Sequence, residues 1–335
     1  MTLPVTIDPS RPIRWGILGT GWIASEFAGD LALLDDAELI AVGSRSQATA
    51  DAFGARFGVE RCYPTYAELV ADPEVDAVYV CSPHPMHAAD MLLAVEAGQA
   101  VLCEKPFTLN AAQARDVVAA AQARGTFLME AMWTRWLPHM VKIRSLLADG
   151  ALGQVRAVYA DHGQWFDFDP AFRLFAPELG GGALLDLGVY PVSFASMVLG
   201  DPSRVVAISD PTQTGVDQQT SILLGHPGGA QAVLTCTLEA VSPVSAAIIG
   251  TEARIEIDRT WYAPTTFRVI TRSGETTEYD EPSAPRGMHH EAAEVGRCLR
   301  AGLLESPDLP LAETVAIMAT LDEVRAQIGL AYPGE

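Results

Sequence analysis

Residues 13–24 read IRWGILGTGWIA, from Ile13 to Ala24. An apolar run ends in glycine, and residues 22–35 then carry apolar spacing that suits a helix, so the stretch predicts strand, tight turn and helix in succession. Gly19-Thr20-Gly21-Trp22-Ile23-Ala24 fits G-x-G-x-x-G/A. Glycines there let the chain turn sharply and bring bare backbone against a pyrophosphate, whose charge sits at the positive end of the following helix. The pattern alone is weak. Its place after a strand, at the head of a helix and early in a βαβ series makes it specific, and nominates Gly19, Thr20, Gly21, Trp22 and Ile23 as dinucleotide contacts.

Working outward, the apolar run at 38–44 precedes the helix-like QATADAFGARFG, and the run at 75–82 precedes HAADMLLAVEAG. AVLCEK at 100–105 and TFLMEAM at 126–132 flank the helical AAQARDVVAAAQARG. Near-continuous apolar strands spaced by helices predict a parallel sheet covered on both faces, a doubly wound α/β domain. After about residue 155 the rhythm changes. VRAVYADHGQWF, RVVAISD, QTSILLGH, AQAVLTCTLEA, SAAIIGTEARIEID and TFRVITRSG are strand-like runs joined by turns such as HPGG and RSGE, which predict a mostly antiparallel sheet. The last fifty residues return to helix. A chain of 335 residues fits two domains.

The net charge is −20, from 22 basic and 42 acidic residues. Such a field repels phosphate backbones and anionic lipid, so no nucleic-acid or membrane partner is expected. It also repels an anionic cofactor, which must then be held by cations placed locally. The opening MTLPVTIDPSRPIRWG lacks a basic segment followed by an apolar core, so a cytoplasmic protein is expected. The five cysteines are scattered, without a CxxC pair, and read as reduced core residues. His289-His290 has no companion at metal-ligand spacing, so no metal is expected.

The end of the second strand bears on the dinucleotide. A cofactor without a 2′-phosphate is usually held there by a carboxylate about 20 residues past the turn. Here Gly43 is followed by Ser44, Arg45 and Ser46, with no carboxylate before Asp51. Arg45 offers a fork to a phosphate between two small hydroxyls, which favours NADP over NAD. A solvated loop arginine is the alternative at this position.

Of the 22 basic residues only Lys105 and Lys142 are lysine. Glu104-Lys105-Pro106 follows one apolar strand, and Ser82-Pro83-His84-Pro85-Met86-His87 follows another. Ligands of open parallel sheets bind outside the carboxyl ends of the strands, which makes Ser82, Pro83, His87, Glu104 and Lys105 candidates for the nicotinamide end. Arginine forks and stays charged, whereas lysine aims a compact ammonium at a single oxygen.

Together with the glycine turn and Glu104-Lys105-Pro106, the stretch Gly180-Gly181-Gly182-Ala183-Leu184-Leu185-Asp186-Leu187-Gly188-Val189-Tyr190 resembles the glucose-fructose oxidoreductase / inositol dehydrogenase / MocA family. The likeness runs from the first strand to the closing helices and Tyr332-Pro333. Glu130 to Arg135 and Tyr190 resemble its dimeric dihydrodiol dehydrogenase and NADP-dependent D-xylose dehydrogenase branch. Many relatives carry histidine where this chain has Tyr190.

The resemblance implies a Rossmann domain over residues 1–132 and a substrate-binding and oligomerising α+β domain over 133–335. The large open sheet of the second domain would make a homodimer or a dimer of dimers, and the last helices would pack back towards the first domain. It also implies that Lys105 and Tyr190 handle the proton beside a nicotinamide. A phenol, with an ordinary pKa of about 10, is a poor base at neutral pH, but a neighbouring ammonium and the positive nicotinamide both stabilise phenolate. Asp186, four residues before Tyr190, would share its side of a helix and orient a sugar hydroxyl or the lysine. Trp133, Arg135, Phe166 and Arg173 are candidate substrate contacts, with core packing the alternative for the aromatics. The function expected is an NADP-dependent oxidoreductase acting on a secondary alcohol or carbonyl of a sugar, cyclic diol or dicarbonyl. A glycoside hydrolase working by transient oxidation and an NADP(H) sensor without chemistry are the alternatives.

Overall fold

The computed structural model describes residues 11–280 and 286–335. They divide into two compact units, Met1–Trp133 with Pro285–Val315, and Thr134–Ala284 with Ala316–Glu335. The first unit is wound from β1 (Ile13–Leu18), α1 (Trp22–Leu31), β2 (Ala37–Gly43), α2 (Gln47–Phe57), β3 (Arg61–Tyr63), α3 (Tyr66–Val70), β4 (Ala77–Val80), α4 (His87–Ala97), β5 (Ala100–Glu104), α5 (Ala111–Arg124) and β6 (Leu128–Ala131). All six strands are parallel, in the order β3-β2-β1-β4-β5-β6. That is the doubly wound order expected, and the winding reverses between β1 and β4, where such sheets open a crevice at their carboxyl ends. Every residue of β4, β5 and β6 is buried, as a sheet covered on both faces requires.

The second unit runs through α6 (Pro138–Ala148), β7 (Val155–Gly163), a π-helical turn (Leu184–Gly188) leading into α7 (Val189–Leu199), and β8 (Arg204–Pro211). It continues through β9 (Asp217–Gly225), β10 (Gln231–Thr237), β11 (Ala246–Gly250), β12 (Ala253–Ile257), β13 (Thr266–Thr271) and β14 (Thr276–Asp280). The eight strands order as β14-β13-β12-β11-β7-β10-β9-β8, antiparallel throughout except for the β7–β10 pair. The π turn and α7 cover one face of the sheet over β7 and β10. Leu174, Phe175, Ala183, Leu187, Cys236 and Leu238 form the core between them. Helix α8 (His289–Arg300) belongs to the first unit, and the division falls within α9 (Leu311–Ile328). The exposed edge of β8 is capped by the α9 residue Gln327, whose amide accepts from Ala207 N–H at 2.9 Å and donates to Val205 C=O at 2.9 Å, which blunts that edge against pairing with another chain.

Several elements depart from the sequence expectation. The run at 245–258 is two strands rather than one, because the chain turns between Gly250 and Ala253; a Cβ at Gly250 would lie 2.1 Å from Leu152 O. β3, α3 and β14 are only three to five residues long, and carry too little periodicity to announce themselves. Pro177–Leu199 is long and apolar enough to cross a membrane by length and composition, although 78% of its most apolar window is buried within the fold. The glycines and Asp186 inside it hide that run from a simple search for uninterrupted apolar sequence.

Candidate functional site

In the first unit the glycine turn lies between β1 and α1 as its spacing predicts. Gly19 takes φ +126°, and a Cβ there would stand 3.0 Å from Cys81 Sγ and 3.2 Å from Cys81 O. Glycine is required twice over, for the backbone angle and for the close approach to the end of β4. The first turn of α1 has no side-chain cap, whereas Thr65 caps α3 and Asn110 caps α5. An uncapped helix start with its N–H groups turned outward is an anion site. A pyrophosphate therefore fits the residues present: Gly19, Thr20, Gly21, Trp22 and Ile23 would hold it.

Ser44 and Thr20 approach through their hydroxyls at 3.5 Å, and Ser44 Oγ lies 2.6 Å from Thr49 Oγ1. Arg45 is exposed, and Ser46 opens α2 without capping it. Burial pushes the Asp90 carboxyl up from its ordinary value, while Ser82 and the Arg45 charge pull it the other way.

The structure brings His87, Ser82 and the turn after β5 together. His87 is fully buried, with Nδ1 2.8 Å from Pro106 O and Nε2 2.8 Å from Ser82 O. The doubly protonated ring would satisfy both carbonyls; burial, first, and the Lys105 charge oppose that form and leave the His87 pKa lowered. Glu104 is buried and accepts from Tyr79 OH and from Lys105 N–H, the latter at 3.1 Å. Glu130 accepts from Phe107 N–H at 3.1 Å. Two carboxylates thus hold the backbone of the Lys105–Phe107 turn, whose Lys105–Pro106 peptide is cis.

In the second unit Tyr190 is buried in α7, one turn past the glycine-rich loop. Its ring meets His162 with centroids 5.1 Å apart and Tyr262 at 5.0 Å, and these two stack on each other at 4.1 Å. Gln164 Nε2 bridges them, 2.9 Å from His162 Nε2 and 3.2 Å from Tyr262 OH. Sequence reasoning missed His162, Gln164 and Tyr262. Nothing in single residues at the end of β7 and in the loop after β12 could have disclosed them, since their grouping is set by the tertiary fold.

Asp186 lies within the π turn rather than in a uniform α-helix, so the four-residue spacing to Tyr190 does not carry the same-face argument. Both its oxygens accept from Arg173, at 2.8 and 3.3 Å. Arg135 is buried, and its Nη2 donates to Ser193 O and Ser193 Oγ, both at 3.2 Å, on α7. Phe166 is half-buried against the core that includes Leu187, and Trp133 is buried at the end of the first unit. Tyr332 OH donates to Gly181 O at 2.6 Å, tying the tail to the glycine loop. Among the described residues no three His, Cys, Asp or Glu side chains gather to hold a metal.

Residues 13–132 match the family described as "Oxidoreductase family, NAD-binding Rossmann fold", and residues 140–256 match the "GFO/IDH/MocA C-terminal domain". The chain belongs to the GFO/IDH/MocA oxidoreductases. It is 39% identical over 333 residues to the trans-1,2-dihydrobenzene-1,2-diol dehydrogenase of Mus musculus, covering 96% of this chain and 98% of that one. The enzyme of the same name from Sus scrofa is 40% identical over 334 residues, with 96% and 98% covered. A 3-ketoreductase from Actinomadura kijaniata, solved with NADP and TDP-benzene, matches with a TM-score of 0.84 at 28% identity, over 95% of this chain and 98% of that one. The aldose-aldose oxidoreductase from Caulobacter crescentus, complexed with glycerol, matches with a TM-score of 0.85 at 25% identity, over 95% and 97%. This GFO/IDH/MocA protein is accordingly an NAD(P)-binding oxidoreductase acting on CH–OH groups.

Proposed function

We propose that the protein is an NADP-dependent dehydrogenase or reductase of the cytoplasm, acting on a secondary alcohol or carbonyl of a sugar, cyclic diol or dicarbonyl. The bound nicotinamide supplies the hydride chemistry. In this reading Lys105 holds and polarises the substrate oxygen, and Tyr190 takes its proton in oxidation or returns it in reduction. Glu104 and Glu130 steady the backbone turn that carries Lys105, and Asp186, held by Arg173, orients a neighbouring hydroxyl. Trp133, Arg135 and Phe166 shape the surroundings of the substrate.

Two separate observations support the reading: in the first unit Lys105 sits on a braced turn at the carboxyl end of β5, and in the second Tyr190 is buried in aromatic company after the glycine loop. The 3-ketoreductase has also been solved as one variant with a lysine replaced by alanine and another with a tyrosine replaced by phenylalanine, both with TDP-benzene and NADP. Those two residues are separated by nearly the same length of chain as Lys105 and Tyr190. NADP rather than NAD is supported by Arg45 between Ser44 and Ser46, next to the uncapped start of α2, with no carboxylate beside it.

A homodimer, or a dimer of such dimers, is supported by the open face of the second sheet. Val206, Leu223, Val233 and Tyr159 stand opposite one another across β8, β9, β10 and β7, all exposed, with Ile208 74% exposed beside them. A contiguous apolar rank of that kind marks an interaction surface.

Screening aldoses, trans-dihydrodiols and 1,2-dicarbonyls with NADP(H) and then with NAD(H) tests the function. Net NADPH formation or consumption with at least one substrate is expected. Glycoside cleavage without net change in cofactor, or cofactor binding without turnover on any of these classes, would overturn it.

A further inference from the structure

We propose that Arg286 is a cofactor-binding residue that grips the pyrophosphate of the dinucleotide; the inference rests on the nucleotide reading above. Trp22, Glu26 and Asp30 follow one another at four-residue intervals and so form a single stripe along α1. The segment 286–288 is fastened to all three. The Arg286 guanidinium lies over the indole of Trp22, 4.5 Å from the ring centre. Its Nε donates to Glu26 Oε2 at 2.6 Å. The buried Asp30 accepts Gly287 N–H at 2.9 Å and Met288 N–H at 2.7 Å through Oδ2.

As a mere fastening, this arrangement leaves two features unexplained. Trp22 is 62% exposed although it is a large apolar ring in the first turn of a helix. Arg286 also brings a positive charge to the positive end of the α1 dipole, where a cation is unfavourable and an anion favourable. Glu26, one turn further along, accepts only from Nε; among the described residues the two terminal nitrogens have no protein acceptor. An anion lying across the start of α1 resolves both features. It would take the N–H groups of the uncapped turn on one side and the Arg286 fork on the other, with Trp22 as the flat support that fixes the guanidinium plane. Because the side chain is held at Trp22 and Glu26, and its backbone neighbours at Asp30, little ordering remains to oppose binding. In a chain with a net charge of −20, a cation mounted this firmly at the phosphate turn has an evident electrostatic use.

The pyrophosphate is common to NADP and NAD, and that fixes the test. NADPH and NADH are titrated into the full-length protein by fluorescence, with wild type, Arg286→Ala, Arg286→Gln and Arg45→Ala side by side. Arg286→Ala is expected to weaken both dinucleotides by the same factor, roughly tenfold, as for one lost charge-assisted hydrogen bond. Arg45→Ala is expected to weaken NADPH alone. Arg286→Gln keeps the side-chain length and provides the same comparison if the alanine variant does not fold. Wild-type affinity for both dinucleotides in the Arg286 variants would overturn the inference, and so would a loss confined to NADPH, which would move Arg286 to the 2′-phosphate. If wild type itself binds neither dinucleotide, the nucleotide reading fails first and takes this inference with it.

Discussion

Asp217 holds Leu184: the buried carboxylate at the head of β9 accepts the Leu184 N–H at 2.8 Å, and so fixes the start of the π turn that carries Asp186 and leads to Tyr190. Its Oδ2 is also 2.8 Å from the Thr220 hydroxyl. Burial nevertheless raises the Asp217 pKa from 3.8 to about 6, against those hydrogen bonds and the charge of Arg325. Burial first, and then the negative charge of Asp217, push up the pKa values of Tyr332 and Cys236.

A carboxyl whose folded pKa lies above its unfolded value contributes stability that is complete below the unfolded value and lost as pH rises through the folded one. For Asp217 the window runs from about 3.8 to about 6. Over it the stability of wild type relative to Asp217→Asn should fall by up to about 3 kcal/mol, the free energy equivalent of that displacement. Urea unfolding of both proteins at a series of pH values measures it. A difference that stays flat across the window would contradict the assignment.

Gly182 adopts φ +112°, and a Cβ on it would lie 2.2 Å from Asp217 Oδ1. Gly182→Ala meets both a left-handed backbone angle and a polar wall, and should cost about 3 kcal/mol or more. Gly150→Ala is the control: its φ is +72°, but a Cβ there meets nothing within 4 Å. It should cost about 1 kcal/mol. Thermal melts of the two variants should differ by several degrees; equal melts would show that the glycine loop yields where it is expected to hold.

The apolar rank on the open sheet should be covered in solution. Leu223→Glu and Ile208→Glu place a charge in its middle and at its flank, where burial against a second copy would be costly. Sedimentation should show the wild type as a dimer or tetramer and the variants as smaller species that retain their fold. A wild-type monomer, or variants that assemble normally, would rule this face out.

Much of this arrangement could be read in the chain itself, for reasons that differ along its length. The parallel sheet announced itself because buried strands must be apolar throughout and its turns need glycine at fixed places; Gly19 is an example of the second rule. Lys105 stood out by rarity, as one of two lysines among 22 basic residues. The open sheet was legible as a succession of strands but not strand by strand, since β14 is polar and exposed and β11 and β12 run on without a turn signal. What could not be read was any role conferred by neighbours distant in sequence. Asp217 looks like an ordinary polar start to a strand, and only the fold reveals it as a helix anchor 33 residues from its partner. His162 and Tyr262 are likewise unremarkable until their rings meet around Tyr190. The π turn escaped because a five-residue departure from α-helical spacing leaves the apolar pattern almost unchanged.

The claim at the centre is that Lys105 and Tyr190 serve the same proton transfer. Hydride transfer measured in a single turnover, with cofactor prebound and a substrate from the screen, tests it most directly in wild type, Lys105→Met and Tyr190→Phe. Each variant should slow the step by roughly a hundredfold or more, with dinucleotide affinity within about twofold of wild type, and the double variant should lose little beyond either single one, as for groups acting as a unit. Rates within a few-fold of wild type in either variant would contradict the account.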